Sequence, residues 1–374
     1  MSLWSLPGPA RYVEQVVDDL RDGYNLVLAA PSAGARGLGD ALREALASAW
    51  NIPRPLTASG DTPIDQLFDE LELGRDEDGS ARRAVPDLLA RLSEFQVVLV
   101  DAVTPGRWPA WRRLLVDYEA ASRSVGKLDR PLLVVVLQGV PLKDAAINAP
   151  ALRCRPWKNV VGELDVLLHV SMRFRERGPF DLRARLLTRV IAKLAGWDVE
   201  LASELIERKP EELFRPGECI RILLQTADVV TPAAKTWEAG GLQSVDGVDL
   251  VHPSILALEG DQSGELPMRI WAAQAAEILP ALELHRRELS RRMRKMLPRS
   301  IRLGEETVED LDDLELGQLF TIARDYRLAA GVRQAADKWR RVRNKLAHLE
   351  VLDASEALDP ELLAVGEQWR STAH

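Results

Sequence analysis

Three short runs of apolar, largely β-branched residues place the strongest constraint on what the first half of this chain can fold into. The runs occupy residues 25–30 (NLVLAA), 96–100 (QVVLV) and 132–137 (LLVVVL), and a weaker one covers residues 166–170. Segments with helical spacing, such as residues 9–21 and 38–50, separate them. Apolar strands that alternate with helices are typical of a parallel sheet covered on both faces. The sequence therefore predicts an α/β domain over residues 1–178, with a polar loop at residues 74–80.

The second half of the chain has helical patterns instead of strand patterns. Its last third predicts a bundle of four helices, at residues 270–297 with a kink or an interruption at Pro280, at 308–326 after an N-cap at Thr307, at 332–349 and at 360–370. Residues 182–194 and 199–207 also have helical spacing, whereas residues 215–264, rich in Gly and Pro, support no assignment. We therefore expect a helical and irregular connecting domain over residues 179–264 and a helical bundle over residues 265–374.

Composition and charge favour a soluble cytoplasmic protein of two or three domains. Hydrophobic residues make up 46% and charged residues 28% of the 374 positions, as in ordinary globular proteins. The net charge of −8 argues against a protein that coats nucleic acid with its whole surface. Cys154 and Cys219 are far apart and no histidines have metal-ligand spacing, so we expect a reducing compartment and no metal site. The first residues lack a signal-peptide pattern, and no apolar run reaches the ~18 residues that span a membrane.

A loop of small residues follows the first apolar run and precedes a helix. Backbone N–H groups in such a loop, and at the start of the helix, bind phosphate in P-loop proteins. Aligned with the pattern G-x-x-x-x-G-K-[ST], residues 30–37 (APSAGARG) have alanine in place of both glycines, Arg36 in place of lysine and Gly37 in place of the hydroxyl residue. Asp101 follows the second apolar run, as the aspartate of a Walker B strand does, but Ala102 stands where a catalytic acid is usual.

Residues 20–175 therefore resemble a degenerate P-loop NTPase, related to the AAA and STAND types, in which Gln138 has the place of a polar sensor. The resemblance implies a site for ATP or another nucleotide without hydrolysis. The candidate nucleotide-binding residues are Ser32, Gly34, Arg36, Gly37 and Asp101. The alternative is that the loop is an ordinary strand-to-helix turn and that Asp101 only ends a strand.

Near the C-terminus, residues 338–350 (KWRRVRNKLAHLE) contain an Arg-Asn-x-x-x-His motif in a helical stretch. Asn344 and His348 are one helical turn apart, Arg343 has a planar fork suited to phosphate, and an imidazole can move a proton near neutral pH. The motif resembles that of the HEPN family, in particular the HEPN domains of RNA-surveillance endonucleases. The resemblance implies that Arg343 binds the phosphate, Asn344 orients it or the imidazole, and His348 transfers the proton, without a metal or cofactor.

Basic side chains surround this motif in the sequence. The candidates for RNA binding are Arg291, Arg292, Lys295, Arg340, Arg341 and Lys345. If their helices lie side by side, they form a cationic surface for backbone phosphates in a protein of net negative charge. The alternative is that they are the solvated faces of ordinary helices.

Three functions are compatible with these patterns. The leading one is a metal-independent endoribonuclease of HEPN type that works as a homodimer through its C-terminal bundle and is regulated by the N-terminal domain. The resemblance implies a prokaryotic defence or toxin system with a partner protein and an RNA substrate. The second is a non-catalytic protein in which the bundle dimerises or binds RNA, or in which the N-terminal domain is a nucleotide-sensing scaffold. The third is a P-loop ATPase.

Overall fold

The computed structural model describes residues 2–47, 50, 55–60, 62–73, 83–92, 96–126, 129–227, 229–245 and 247–364. The chain forms two compact units. Residues 1–165 and 230–255 make up the first, the α/β unit; residues 166–229 and 256–374 make up the second, the helical unit. The predicted loop at residues 74–80 lies outside the described residues.

The α/β unit is built on a five-stranded parallel sheet with the strand order β2-β3-β4-β1-β5. Its strands are β1 Asn25–Ala30, β2 Leu56–Thr57, β3 Val97–Val103, β4 Leu132–Gln138 and β5 Leu152–Pro156. Every residue of β1 is buried, because β1 pairs with β4 on one side and β5 on the other. This sheet confirms the prediction of a parallel α/β fold.

Helices cover the sheet. They are α1 Pro7–Arg21, α2 Leu38–Leu46, α3 Pro63–Glu70, α4 Val85–Arg91, α5 Trp108–Ser122 and α6 Leu142–Ala145. One layer of the core joins β3 and β4 to α3, α4 and α5, and contains Leu67, Leu88, Val98, Trp111 and Leu133. The α/β unit is completed by residues 230–255, which contain the antiparallel hairpin of β6 Leu242–Val245 and β7 Val248–Val251.

The helical unit has four principal helices that pack on one another. Two of its helices, α7 Glu163–Arg177 and α12 Pro253–Glu259, begin before the unit boundary. The others are α8 Leu182–Ala195, α9 Val199–Ile206, α10 Pro210–Leu213, α11 Pro216–Thr226, α13 Glu265–Arg294, α14 Leu316–Asp325, α15 Ala330–Ala347, α16 Ala354–Ala357 and α17 Pro360–Leu363. The helix α13 contacts both α8 and α15, and α15 packs on α14. A short hairpin of β8 Ile301–Leu303 and β9 Glu306–Val308 separates α13 from α14.

Several predicted elements differ from the structure. Residues 166–170 are not a strand but part of α7, where Val166 and Val170 are both buried at helical spacing. Pro280 does not interrupt α13, which runs for 30 residues. A proline inside a helix removes one backbone hydrogen bond, and the packing of α13 against α8 and α15 holds the helix together at this point.

The predicted helix at residues 308–326 begins later. Its first part is β9 and a 3-10 turn at Leu311–Asp313, and Thr307 lies in β9 instead of capping a helix. Glu315 is the N-cap of α14 and forms a capping box with Gln318. Of the predicted helix at residues 360–370, α17 covers Pro360–Leu363, and residues 365–370 lie outside the described part of the chain.

The two units divide the chain differently from the boundaries predicted at residues 178 and 264, because residues 166–229 join the helical unit and residues 230–255 return to the α/β unit.

Within the described residues, no helix is long and apolar enough to cross a membrane. In the same part of the chain, no cluster of three or more His, Cys, Asp or Glu side chains is suited to hold a metal ion.

Candidate functional site

The loop after β1 lies at the point where the order of the strands in the sheet reverses direction. Strands β4, β3 and β2 extend the sheet on one side of β1, and β5 lies on the other. In open parallel sheets, ligands bind outside the carboxyl ends of the strands at such a point. The structure therefore places residues 31–37 at the position that a ligand-binding loop would have.

Two glycines shape this loop as it enters α2. Gly34 has a φ of 113°, and Gly37, the N-cap of α2, has a φ of 75°. Both angles lie in the region that favours glycine over other residues. The side chains of Ser32 and Arg36 are exposed on the loop. The sequence thus has glycine where the backbone turns, although these are not the glycine positions of the P-loop pattern.

Asp101 lies within β3, not after it, and faces the start of α2. Its Oδ1 accepts a hydrogen bond from the N–H of Ala102 at 2.8 Å. A Cβ atom placed on Gly39 would come within 2.7 Å of its Oδ2, so only glycine allows this contact between α2 and β3. Burial raises the pKa of Asp101, and the charge of Asp40 raises it further. The structure thus places Asp101 against the start of α2, the helix that follows the loop after β1.

Gln138 ends β4 at the same edge of the sheet. It pairs with Ala30 in the strand register, and the N–H of the following Gly139 donates to the Ala30 carbonyl at 2.9 Å. The side chain predicted as a polar sensor therefore lies next to the start of the loop.

A distant part of the chain contacts the start of this loop. Residues 236–241 (TWEAGG), here named the covering segment, lie against residues 32–33. The N–H of Ser32 donates to the Glu238 carbonyl at 2.8 Å, and its Oγ donates to the Ala239 carbonyl at 3.3 Å. A Cβ atom on Gly240, which has a φ of 84°, would lie 2.6 Å from the Ala33 carbonyl oxygen.

Trp237 anchors the covering segment, because it packs against the apolar core of the α/β unit. Sequence reasoning missed this segment. The Gly240-Gly241 pair is a local signal for a turn. No local pattern, however, indicates that a turn 200 residues away in the chain will meet the loop after β1.

The Arg-Asn-x-x-x-His motif occupies the last turns of α15. Arg343 is half-buried and forms an ion pair with Glu315 at 3.0 Å. The backbone carbonyl of Asn344 accepts the N–H of His348 at 3.0 Å, and His348 is the exposed C-cap residue. Leu349 follows with a φ of 62°. The motif therefore lies at the C-terminal end of α15, where His348 is exposed.

Arg343 also lines a cavity of about 390 Å³. The other charged side chains of its lining are Arg286, Glu283, Asp312, Asp313 and Glu315. Four carboxylates thus face two guanidinium groups, so the cavity has an excess of negative charge. Such a cavity attracts phosphate only if the Arg343 side chain turns away from Glu315.

Most of the candidate RNA-binding cations are already paired with carboxylates. Glu288 bonds both Arg291 and Arg292, Asp337 bonds both Arg340 and Arg341, and Glu356 bonds Lys345. Lys295 is exposed at the end of α13. Exposed ion pairs exchange readily for phosphate contacts, but the pairing reduces the net positive charge that RNA would meet.

Compared with known proteins, the sequence matches no family model. It also matches no curated protein. A signal transduction ATPase with numerous domains (STAND) that has a tetratricopeptide repeat sensor, from Pyrococcus horikoshii, is 12% identical with a TM-score of 0.33. The match covers 95% of this chain and 58% of that one, so this chain spans little more than half of its length. ORC from Drosophila, in a structure bound to DNA, is 11% identical with a TM-score of 0.29, covering 96% of this chain and 95% of that chain. The assignment of the α/β fold rests on the sheet itself.

Proposed function

We propose that this protein is a regulatory scaffold whose α/β unit has the architecture of a nucleotide-binding domain but does not hydrolyse nucleotide. The main support is the hydrogen bond from the Ser32 N–H to the Glu238 carbonyl. Through that bond, a backbone N–H group that a P-loop would offer to phosphate instead donates to a carbonyl of the chain itself. The replacement of the lysine by Arg36 and of the magnesium-binding hydroxyl by Gly37 also argues against phosphoryl transfer.

The loop would then have two states, one covered by the covering segment and one uncovered. When the covering segment is in place, the N–H of Ser32 is satisfied without a ligand. A phosphate group would have to displace it, so nucleotide binding would shift the population toward an uncovered state. Arg36, which is exposed, would supply the positive charge that attracts the phosphate. The α/β unit would then report nucleotide to the rest of the chain without turnover.

Nucleotide binding and turnover can be measured on three forms of the full chain. Gly240→Ala introduces a Cβ atom 2.6 Å from the Ala33 carbonyl oxygen and should displace the covering segment. Gly247→Ala is the matched control, because Gly247 has a similar φ of 80° but no atom within 4 Å of the added Cβ. We expect Gly240→Ala to bind ATP or ADP about tenfold more tightly than the other two forms, which corresponds to roughly 1.4 kcal/mol.

The same samples test the absence of hydrolysis. We expect no release of phosphate from ATP by any of the three forms, with or without Mg²⁺. Steady turnover by the wild type that Asp101→Asn abolishes would show that the protein is a P-loop ATPase and would overturn the scaffold proposal.

A second candidate function is metal-independent RNA cleavage of HEPN type, supported by the accessible position of the motif at the end of α15. Arg343 would leave Glu315 to hold a phosphate. His348 would take the proton of the RNA 2′-hydroxyl as this oxygen attacks phosphorus. The bond to the 5′-oxygen breaks, the 5′-oxygen takes a proton from water, and a 2′,3′-cyclic phosphate remains. The homodimer, the partner protein and the defence or toxin setting belong to this candidate.

Cleavage of total RNA in the presence of EDTA tests the second candidate. We compare the wild type with Arg343→Ala and His348→Ala, and use Arg324→Ala as the control, since Arg324 is an exposed arginine of α14 outside the motif. Cleavage by the wild type and Arg324→Ala, but by neither motif variant, would establish the activity. If the wild type and Glu315→Gln, which frees Arg343 from its ion pair, both leave RNA intact, the ribonuclease candidate fails.

A further inference from the structure

A long groove opens in the helical unit between the C-terminal half of α13 and the N-terminal half of α15. Its volume is about 1120 Å³. Aliphatic side chains form its floor, including Leu284, Val332 and Met296. Met296 is 52% exposed, which is a high value for an apolar side chain in a folded protein. The groove is therefore an apolar surface that the described part of the unit does not cover.

One wall of the groove has an excess of positive charge. Arg287, Arg291 and Arg292 line it, with side chains that are 60%, 71% and 60% exposed. Glu288, which also lines the groove, pairs with both Arg291 and Arg292. Arg287 pairs with Glu283, which lies outside the lining. The lining of this wall thus has three guanidinium groups and one carboxylate. On the opposite side, the two carboxylates of Asp359 and Glu361 exceed the single positive charge of Lys338, so the positive excess is confined to the α13 wall.

The floor of the groove suits a protein segment better than RNA. Single-stranded RNA is bound by aromatic faces on which bases stack. Trp339 lines the groove but is only 5% exposed, because its ring stacks on His285 with the centroids 4.3 Å apart. His285 is held in turn by a hydrogen bond of 3.0 Å to the Leu362 carbonyl. The accessible floor is aliphatic, and it matches the apolar face of an amphipathic helix.

We propose that this groove binds an acidic amphipathic helix of a partner protein. The apolar face of the helix would lie on the floor, and its carboxylates would contact Arg287, Arg291 and Arg292. The groove follows α13 from Leu284 to Met296, a distance of about 18 Å at 1.5 Å per residue, so it accommodates roughly three helical turns. This inference is independent of the function proposed for the α/β unit.

Fluorescence anisotropy with a labelled probe peptide tests the proposal on the full chain. The probe has about 14 residues, with leucines at helical spacing on one face and glutamates on the flanks, and a second probe has lysines in place of the glutamates. We expect the acidic probe to bind at least tenfold more tightly than the basic one. The double variant Arg291→Glu/Arg292→Glu should reverse this preference, whereas Arg324→Glu, an equally exposed arginine outside the groove, should leave it unchanged.

Each other outcome would overturn the proposal. Absence of binding by the acidic probe at about 1 mM would mean that the groove has no useful affinity for such a helix. If Arg291→Glu/Arg292→Glu binds the acidic probe as tightly as the wild type does, the probe binds at another surface. Displacement of the probe by single-stranded RNA, with tighter RNA binding than peptide binding, would assign the wall to nucleic acid. Probe binding only after removal of residues 365–374 would assign the groove to the chain's own C-terminus.

Discussion

Asp101 is held in a setting that disfavours its charged form. It is partly buried, Asp40 lies nearby, and the hydrogen bond from the Ala102 N–H only partly compensates, so its pKa is raised. A strand position next to the start of α2 thus has a carboxyl group that burial favours in its neutral form.

Replacing this carboxylate should stabilise the protein at neutral pH. With a raised pKa in the folded state, the wild type loses stability as the pH rises through that value, whereas Asp101→Asn has no charge to lose. The variant should therefore match the wild type below about pH 4 and be more stable at pH 7. Urea unfolding at several pH values measures the difference, and lower stability of Asp101→Asn at pH 7 would contradict the expectation.

At the residue scale, the sequence predicts which residues share a site only where each of them belongs to a recognisable local pattern, such as an apolar strand. Asp101 and Ser32 both lie near the carboxyl ends of apolar strands in one parallel sheet, so the sequence could place them at the same edge of that sheet. Glu238 could not be predicted, because it acts through its backbone carbonyl, which every residue type has. The pairing of Arg343 with Glu315 was equally hidden, since it depends on how α14 packs against α15.

At the scale of the element, α15 ends in a strained turn. The N–H of Glu350 donates to the Lys345 carbonyl at 2.9 Å, and the N–H of Leu349 donates to the Leu346 carbonyl at 3.2 Å. These two bonds define a Schellman motif, whose left-handed position usually has glycine. Here it has Leu349, which is 54% exposed and so gains little from burial.

Leu349→Gly should therefore relieve strain in this turn. We expect an increase in the free energy of unfolding of about 0.5–1 kcal/mol, measured by urea unfolding. Leu349→Ala removes the same side chain but retains the Cβ atom, so it should give no such gain. If both variants lose stability by the same amount, Leu349 contributes through packing and the strain argument is wrong.

The elements that sequence patterns predicted well are those with long, uniform patterns. The three apolar runs of the sheet appear as β1, β3 and β4. The strand β2 has only two residues, and β5 (LRCRP) alternates apolar and basic residues at the edge of the sheet, so neither has an apolar run. The short run at residues 166–170 fits a helix as well as a strand, and its length alone could not decide between them.

At the scale of the whole molecule, the α/β unit is assembled from two distant parts of the chain. Residues 230–255 contribute the covering segment, the anchor Trp237 and the hairpin of β6 and β7. Composition and periodicity describe neighbours in sequence, so they predict contiguous domains. They cannot show that a chain leaves a unit, forms helices for about 64 residues, and returns.

This organisation predicts how fragments will behave. A fragment of residues 1–178, which ends at the boundary predicted from the sequence, lacks the returning part of the unit. We expect it to melt at a lower temperature alone than with an added peptide of residues 230–255, and the increase should grow with peptide concentration. The same peptide with Gly240→Ala should stabilise it less. A fragment that ignores the peptide would show that residues 230–255 contribute nothing to the stability of the unit.

The late return of the covering segment also sets an order of events during synthesis on the ribosome. About 90 residues separate the end of the first part of the α/β unit from the end of the second. At 5–20 residues per second, the ribosome needs roughly 5–20 s to make them. During that time the loop after β1 has left the ribosome while its cover has not yet been made. A ligand of this loop would therefore have access to it before residues 236–241 are made.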